Sequence, residues 1–295
     1  MSTSSLAHWQ AFKWGTVELN SEVIKKGAIL LPVKLDGMDC DMQLDTGVGV
    51  SVLYRNALPS RYSHLLNSET LLIKQFSLAE PSSRIFQLMY ARKKSLSKKC
   101  GVTKNNSLVG TLANDYFLDG SLSLDLGRGL FRYEKAPFQP LNDKEYFSFE
   151  IEISKIESHG SFPIAMVTLE NGEKKKVIFD TGSVSASLVV LQERDWLKLV
   201  GLEKIDDVKP KLIPRWGQLI PCYSAPIGQS ASMENFKFSP ETKAVYCHDL
   251  RANPNVENPI FGVIGLAPFS DHAITIDYLS RKIFIEKEIA KKNSS

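Results

Sequence analysis

The sequence predicts a mainly β protein built from two similar halves. Three observations predict this fold class: Asp-Gly and Asn-Gly turn signals lie between apolar segments, the motifs follow the same order in both halves, and few segments have a helical pattern. Apolar residues make up 43% of the 295 residues, enough to bury a sizeable core in two domains of ordinary size.

Each half contains one Asp-Thr-Gly triplet directly after a predicted hairpin. In the first half, the turn Asp36-Gly37 precedes Asp45-Thr46-Gly47; in the second, Asn171-Gly172 precedes Asp180-Thr181-Gly182. Each turn glycine stands eight residues before its aspartate, and the two aspartates are 135 residues apart. A single triplet is more often a turn or a helix cap, because Asp and Gly favour such positions. Two triplets with matched flanks indicate a pair of carboxylates.

A second pair of matched segments follows the triplets. Leu108-Val109-Gly110 precedes the strand-like Leu122–Asp125, and Val263-Ile264-Gly265 precedes Ile274–Asp277. The interval from aspartate to glycine is 65 residues in the first half and 85 in the second. We expect the additional residues of the second half to lie in surface loops.

With these motifs in the same order twice, the chain resembles the pepsin-like and retropepsin-like aspartic proteases over roughly residues 27–287. The resemblance implies the acid-protease fold, in which two similar β-barrel-like lobes enclose a cleft and each lobe contributes one aspartate. It also implies the single-chain, two-lobed form, with an apolar-apolar-Gly segment packed beside each Asp-Thr-Gly loop.

The resemblance assigns the catalytic roles to Asp45 and Asp180. The supporting positions in the two loops are Thr46, Gly47, Thr181, Gly182 and Ser183. The threonine hydroxyls are expected to join the loops, and the glycines, which lack a Cβ, to let backbone N–H groups approach the carboxylates. Ser183 stands where the family often has a hydroxyl, whereas the first loop has Val48, which we interpret as an asymmetry in tuning.

The predicted function is an aspartic endopeptidase that hydrolyses peptide bonds. Two carboxylates held close together share one proton, because both cannot ionise at low cost. The ionised member activates a water molecule for attack on the peptide carbonyl, and the protonated member hydrogen-bonds to the developing oxyanion. These roles belong to the pair rather than to one residue. No cofactor and no metal is expected.

The repeat predicts a first half at residues 1–135, an interlobe connection at 136–158 and a second half at 159–295. The connection is polar and rich in turn-forming residues. Within it, the alternation of apolar and polar residues in Phe147–Ile153 predicts a strand at or near a sheet between the halves. The best helix candidate is the segment Leu191–Val200, whose apolar residues can form one face.

Charge and composition bound the partners. A formal net charge of +3 favours neither a nucleic acid nor an acidic membrane surface, so we expect a peptide or protein substrate, no nucleic acid and no membrane partner. The basic run at residues 92–99 is interpreted as a solvated loop or edge strand. The four cysteines, which have neither Cys-x-x-Cys spacing nor a nearby histidine cluster, predict no zinc site: Cys40, Cys100, Cys222 and Cys247.

The first 26 residues show no signal-peptide pattern, and no apolar stretch is long enough to span a bilayer. We therefore predict a cytoplasmic location with reduced thiols, and activity without removal of a prosegment.

A lid over the cleft is expected, because catalytic lids exclude water. Spacing from each aspartate points to the turn-like Glu80–Ser83 and Pro214–Gly217. The second is the more suggestive, since Trp216 could close on a peptide side chain. Ordinary hairpin tips are the alternative for both segments.

Three functional hypotheses remain open. The first is a single-chain endopeptidase, expected to be a monomer, that uses Asp45 and Asp180. The second is a peptide-binding module on the same fold that has weak or no turnover, of which Val48 would be a symptom. The third is an enzyme whose active unit is a homodimer, which two triplets in one chain make unnecessary.

Overall fold

The computed structural model describes residues 8–19, 22–65, 67–90, 100, 108–141, 145–156, 160–215, 218–248 and 260–287. Within these segments the structure is mainly β, as the sequence predicts. The basic run at residues 92–99 lies outside the described residues.

Strands are numbered here in chain order over the described residues. Those up to residue 135 are β1 (Gln10–Ala11), β2 (Lys13–Leu19), β3 (Glu22–Leu35), β4 (Met38–Leu44), β5 (Val52–Tyr54), β6 (Thr70–Ser77), β7 (Pro81–Met89), β8 (Leu108–Leu112), β9 (Ser121–Asp125) and β10 (Leu130–Glu134). Those after it are β11 (Tyr146–Glu150), β12 (Glu152–Ile156), β13 (Gly160–Leu169), β14 (Lys174–Phe179), β15 (Leu188–Val190), β16 (Lys211–Arg215), β17 (Gln218–Pro226), β18 (Ala231–Met233), β19 (Phe236–Lys237), β20 (Lys243–Cys247), β21 (Gly262–Ile264), β22 (Ala273–Asp277) and β23 (Lys282–Glu286).

The helices are short. Over the described residues they are α1 (Asn114–Phe117), α2 (Glu193–Val200) and 3₁₀ turns at Arg55–Ala57, Ser60–Leu65, Ile205–Asp207 and Ala267–Phe269. The helix predicted at residues 191–200 is confirmed as α2, which begins two residues later than predicted. Two acidic residues in its first turn suit the positive end of the helix, and Gly201 ends it in the left-handed conformation with φ 72°. Trp196 on its buried face donates from Nε1 to Ala244 O at 3.0 Å.

The described strands form three sheets. The first has the order β2-β3-β4-β8-β5-β7-β6, and all its strands come from the first half. The second has the order β16-β17-β20-β15-β21-β14-β13-β18-β19, with β12 paired to β13. The third has the order β1-β10-β9-β22-β23-β11 and takes strands from both halves. That the first two sheets form two barrel-like lobes stays a prediction.

The third sheet joins the two halves directly. β9 pairs antiparallel with β22, so that Ser123 lies opposite Thr275 and their hydroxyls are 2.8 Å apart. The predicted strand in the connection is confirmed as β11, at the edge of this sheet. The segment 136–158 is therefore more than a loop, because it gives one strand to the third sheet and β12 to the second.

Both predicted hairpins before the triplets form, but their turns differ. In the β3–β4 turn, Asp36 and Gly37 have φ values of 45° and 82°, as a two-residue turn with two positive φ angles requires. In the β13–β14 turn, Gly172 has φ 80° and Asn171 does not have a positive φ. An Asn-Gly turn between apolar segments predicts two positive φ angles, and this prediction is wrong here, because Glu170 adds a third loop residue and only the last one has a positive φ.

The prediction of four reduced thiols is also wrong. Cys40 on β4 is bonded to Cys100, and Cys222 on β17 is bonded to Cys247 on β20. Disulfides persist mainly in oxidising compartments, so the expected cytoplasmic location loses the support it drew from reduced thiols. Over the described segments, no helix is both long and apolar enough to cross a bilayer.

One apolar core runs through both halves. Its largest fully buried side chains include Phe76, Phe86, Phe117, Phe131, Phe179 and Trp196. The strands that lead into the two triplets, β4 and β14, contribute Leu44 and Phe179 to this core. Both aspartates are therefore attached to packed strands.

Candidate active site

Each aspartate follows a strand that is held by a parallel neighbour. Leu44 of β4 pairs with Leu112 of β8, and the N–H of Asp45 then donates to Leu112 O at 3.1 Å. In the second half, Phe179 of β14 pairs with Ile264 of β21 in the same way. The N–H of Asp180 donates to Ile264 O at 2.8 Å. The two loops therefore leave their sheets at equivalent points.

This register corrects the predicted match between downstream glycines. Since Leu112 is equivalent to Ile264, Gly110 is equivalent to Gly262 rather than to Gly265. Both equivalent glycines are required by close packing: a Cβ would lie 2.1 Å from Val52 O at Gly110 and 2.3 Å from Val189 O at Gly262. The pattern of two apolar residues and a glycine therefore does not mark equivalent positions, because its glycine lies on β8 in the first half and directly after β21 in the second.

The structure brings the two predicted catalytic carboxylates together. The N–H of Gly47 donates to Oδ1 of Asp45 at 2.9 Å and to Oδ1 of Asp180 at 3.1 Å. The N–H of Gly182 donates to Oδ1 of Asp180 at 2.7 Å. One backbone N–H is thus shared by carboxylates that lie 135 positions apart in the chain.

The glycines of the triplets are needed because each lies against the opposite aspartate. A Cβ on Gly47 would lie 2.5 Å from Cγ of Asp180, and a Cβ on Gly182 would lie 2.5 Å from Cγ of Asp45. No real Cβ contact is that short, so any larger residue at either position would push the opposing carboxylate away.

The two threonines join the loops as predicted. The N–H of Thr46 donates to Oγ1 of Thr181 at 3.0 Å, and the N–H of Thr181 donates to Oγ1 of Thr46 at 3.0 Å. The Thr46 hydroxyl donates in turn to Phe179 O at 2.7 Å. Both side chains are fully buried. Because hydrogen bonds in a dry interior are strong and directional, this reciprocal pair fixes the relative position of the loops.

The residues that follow the triplets differ between the halves. Ser183 donates from Oγ to Oδ2 of Asp180 at 2.6 Å, so its hydroxyl supports that carboxylate directly. Val48 has no hydroxyl, although it lines the cleft as Ser183 does. The asymmetry that the sequence indicates at these positions is present in the structure.

A buried asparagine that the sequence did not single out supports the first loop. Asn114, at the start of α1, donates from Nδ2 to Thr46 O at 2.7 Å and to Val48 O at 2.9 Å. Tyr278 donates from its hydroxyl to Oδ1 of Asn114 at 2.7 Å. Burial, with a smaller contribution from the charge of Asp115, raises the pKa of Tyr278, which keeps this hydroxyl protonated.

Asp115, next to Asn114, holds the backbone that follows the first loop. Its Oδ1 accepts from the N–H of Ser51 at 2.8 Å and from Oγ of Ser51 at 2.5 Å. Burial raises the pKa of Asp115, although the hydrogen bonds from Ser51 oppose the shift. The sequence signal for both residues is a pair of polar side chains directly after the largely apolar segment 108–113. Their role depends on a loop that lies over 60 positions earlier in the chain.

Both carboxylates open into a cleft of about 1060 Å³, at the upper end of the range for ligand pockets. The first half contributes Ile24, Gly27, Gln43, Val48, Tyr54 and Thr111 to its walls. The second half contributes Val184, Val189, Lys211, Leu212, Val245 and Val263. The Cys222–Cys247 disulfide also lies in the wall. The cleft therefore places an extended ligand between surfaces from both halves.

The two predicted lids have different outcomes. Glu80–Ser83 lies at the β6–β7 hairpin tip, but none of these four residues lines the cleft. The hairpin packs against α1 instead, where Phe76 contacts Tyr116 at a ring distance of 5.4 Å. Of the second segment, Pro214–Gly217, the first two residues end β16, and Trp216 and Gly217 lie outside the described residues, so this lid stays a prediction. The residues directly before it, from Pro210 to Ile213, line the cleft. A second wall, from β3 at Ile24 and Gly27, was not predicted.

In the part of the chain that the structure describes, no group of three or more His, Cys, Asp or Glu residues is placed to hold a metal ion. No family model matches the chain, and no curated protein matches it at a significant level.

Proposed function

We propose that this protein is an aspartic endopeptidase that hydrolyses peptide bonds with a water molecule activated by Asp45 and Asp180. The observation that carries the proposal is the Gly47 N–H, which donates to a carboxylate oxygen of both aspartates. Two carboxylates that share a donor are close enough to hold one proton between them.

The chemistry requires only these two groups and water. The ionised carboxylate takes a proton from the water, whose oxygen forms a bond to the peptide carbonyl carbon, while the protonated carboxyl gives its proton to the carbonyl oxygen. In the tetrahedral intermediate the C–N bond then breaks. The carboxyl that took the water proton gives it to the amine nitrogen, and the other carboxylate takes a proton from one hydroxyl of the intermediate. The products are an amine and a carboxylic acid, and the pair again holds one proton.

The surroundings support this role because they hold the pair in place before substrate arrives. The buried threonine pair and the two glycine N–H groups fix both carboxylates on packed strands. Preorganised groups need little rearrangement during the reaction. A cleft with walls from both halves can take an extended peptide across the pair.

The direct test is cleavage of a mixed peptide library from pH 3 to pH 8 by the wild type and by Asp45→Asn and Asp180→Asn variants. Each substitution removes one member of the acid–base pair and is expected to lower kcat by about 10²–10⁴-fold. The matched control is Asp271→Asn, which makes the same chemical change at an exposed aspartate outside the cleft and is expected to leave cleavage unchanged.

A peptide-binding module without turnover is the second candidate, and Val48 is the observation that favours it. At the matched position Ser183 supports its carboxylate with a hydroxyl, which the first loop cannot do through a valine. Folded wild type that binds peptides from the library but cleaves none between pH 3 and pH 8 would establish this function instead.

We further expect the active unit to be a monomer, since both triplets meet within one chain, and size-exclusion chromatography with light scattering measures this. The cytoplasmic location stays a prediction, against which the two disulfides count. Free thiols can be counted by alkylation and mass spectrometry on protein isolated without reductant. Four free thiols would favour the reducing cytoplasm, and none would favour an oxidising compartment.

A further inference from the structure

The register of the two sheets allows the cleft walls beside Asp45 and Asp180 to be compared position by position. Gln43 pairs with Thr111 in the first half, and Ile178 pairs with Val263 in the second. Thr111 and Val263 both line the cleft, so a hydroxyl on one side of the carboxylate pair stands where the other side has a methyl group. Gln43 lines the cleft as well, whereas Ile178 does not.

The wall beside Asp45 has hydrogen-bonding groups to offer. The hydroxyls of Tyr54 and Thr111 are 2.7 Å apart, and both residues line the cleft. Whichever hydroxyl donates, the hydrogen of the other is left for a second acceptor. Over the described segments, these two hydroxyls and the amide of Gln43 make no further hydrogen bond with a side chain.

The Tyr54 hydroxyl remains protonated over the working range of such an enzyme. Burial raises its pKa, the hydrogen bond with Thr111 opposes this, and the nearby charge of Asp45 adds to it. A protonated phenol can act as both donor and acceptor. The wall therefore suits a side chain that can do the same.

On β21, β15 and β20 the wall beside Asp180 is apolar. Ser183 and Ser185, in the loop after the triplet, also line this side of the cleft, and the Ser183 hydroxyl donates to Asp180. Val263 on β21, Val189 on β15 and Val245 on β20 line the wall in adjacent strands. Among the residues of these strands and of β17 that line the cleft, the hydroxyl is that of Ser224 on β17, which is farther out in the sheet order. A polar side chain placed against the valines would lose its hydrogen bonds to water without replacing them.

We propose that the cleft selects peptides with an uncharged polar side chain on the Asp45 side of the cleaved bond and a branched aliphatic side chain on the Asp180 side. The proposal rests on the proposed endopeptidase function. The polar side chain replaces the water that Tyr54, Thr111 and Gln43 lose on binding, and the aliphatic one fills the valine wall. Among the described residues that line the cleft, the carboxylates are those of the pair itself, so no separate acidic group would favour a cationic side chain.

The test compares four otherwise identical fluorogenic peptides whose central residue pair is Gln-Val, Val-Gln, Val-Val or Gln-Gln. Both mixed orders are included because the direction of the bound peptide is an outcome of the experiment. One mixed order is expected to have a kcat/KM about tenfold or more above that of Val-Val, since a missing hydrogen bond and a misplaced methyl group each cost about that much.

Matched variants exchange the two walls. Thr111→Val gives the first wall the residue of the second, Val263→Thr does the reverse, and the double variant combines them. Thr111→Val is expected to reduce the preference for the mixed order about tenfold, and the double variant to move it toward the opposite order. Tyr54→Phe removes a hydroxyl without changing the ring, and provides the same readout if Thr111→Val does not fold.

The outcomes separate the two proposals. Cleavage of all four peptides at equal rates, or a preference that neither Thr111→Val nor Tyr54→Phe changes, overturns the selectivity and leaves the endopeptidase function intact. If folded wild type cleaves neither these four peptides nor any peptide of the library, the endopeptidase function is overturned. Calorimetric binding of the same peptides then decides: tighter binding of one mixed order supports the selectivity, and equal binding overturns it.

Discussion

The loops that carry Asp45 and Asp180 have the same backbone but different support. At Asp180 a hydroxyl, that of Ser183, donates to the carboxylate itself. At Asp45 the matched residue is Val48, and support comes from Asn114, which donates to two backbone carbonyls of the loop rather than to the carboxylate. The repeat therefore determines where the carboxylates lie, and the side chains around them make the two positions unequal.

The feature that both loops share, a glycine packed against the opposing carboxylate, has the largest expected effect. Gly47→Ala and Gly182→Ala each place a Cβ about 1 Å too close to the opposing carboxylate. A displacement of that size in a catalytic group costs about 10²-fold in rate. Steady-state kinetics on both variants should show equal losses.

The matched control for these variants is Gly127→Ala, whose Cβ would meet its nearest neighbour at an ordinary 3.7 Å. It is expected to keep wild-type kcat/KM. Full activity of Gly47→Ala would mean that the carboxylates are farther apart than the hydrogen bonds indicate.

The support of the first loop is tested by Asn114→Leu, which introduces the residue found at the equivalent position 266 of the second half. Two loop carbonyls and the Tyr278 hydroxyl lose a partner, and an unsatisfied buried group costs about 1–3 kcal/mol. Chemical denaturation should show a lower free energy of unfolding by about that amount.

Tyr278→Phe is the graded control for Asn114→Leu, because it removes one of the three hydrogen bonds and should cost about 0.5–1.5 kcal/mol. Equal stability of all three proteins would show that the asparagine does not support the loop.

The support of the second loop is tested by Ser183→Ala. Loss of a hydrogen bond to a carboxylate costs about 1.5 kcal/mol, so kcat should fall about tenfold. The reciprocal variant Val48→Ser should change kcat less, because Asn114 already holds the first loop. A larger effect of Val48→Ser than of Ser183→Ala would reverse the proposed difference between the loops.

The smallest effect is the pH dependence due to Asp115, whose equivalent in the second half is Ala267. Burial raises its pKa in the folded protein, so the folded state binds the proton more tightly than the unfolded state, where the pKa is about 3.9. Its contribution is therefore most favourable below about pH 3.9 and is lost as the pH rises through the folded pKa.

The measurement is the difference in unfolding free energy between wild type and Asp115→Asn from pH 3 to pH 7. The difference should move against the wild type as the pH rises. A change in the opposite direction would mean that the hydrogen bonds from Ser51 outweigh the burial of Asp115.

Local patterns in the sequence were sufficient for several elements. Asp36-Gly37 predicted the β3–β4 turn because few residues tolerate two positive φ angles. The alternation in Phe147–Ile153 predicted β11, and the apolar face at 191–200 predicted α2, because strand and helix periods are properties of neighbouring residues. The pair of triplets likewise predicted that Asp45 and Asp180 meet.

The predictions that were wrong concern contacts between segments that are distant in the sequence. Gly110 was matched with Gly265 because both follow two apolar residues, and only the pairing of β8 with β4 and of β21 with β14 shows that Gly262 is its equivalent. The spacing of the cysteines along the chain does not indicate a disulfide. Cys40 and Cys100 are 60 positions apart and form a bond because the fold brings them together.

The sequence by itself determined several elements, among them the two hairpins, and the identity of the paired aspartates, because turn preferences and side-chain periods act over a few residues. The tertiary structure decided the register of the parallel strands, the disulfides, the part that Asn114 plays and the difference between the two cleft walls. Each of these depends on which distant backbone atoms come within hydrogen-bonding or bonding distance, and a single strand's pattern does not specify its neighbour's register.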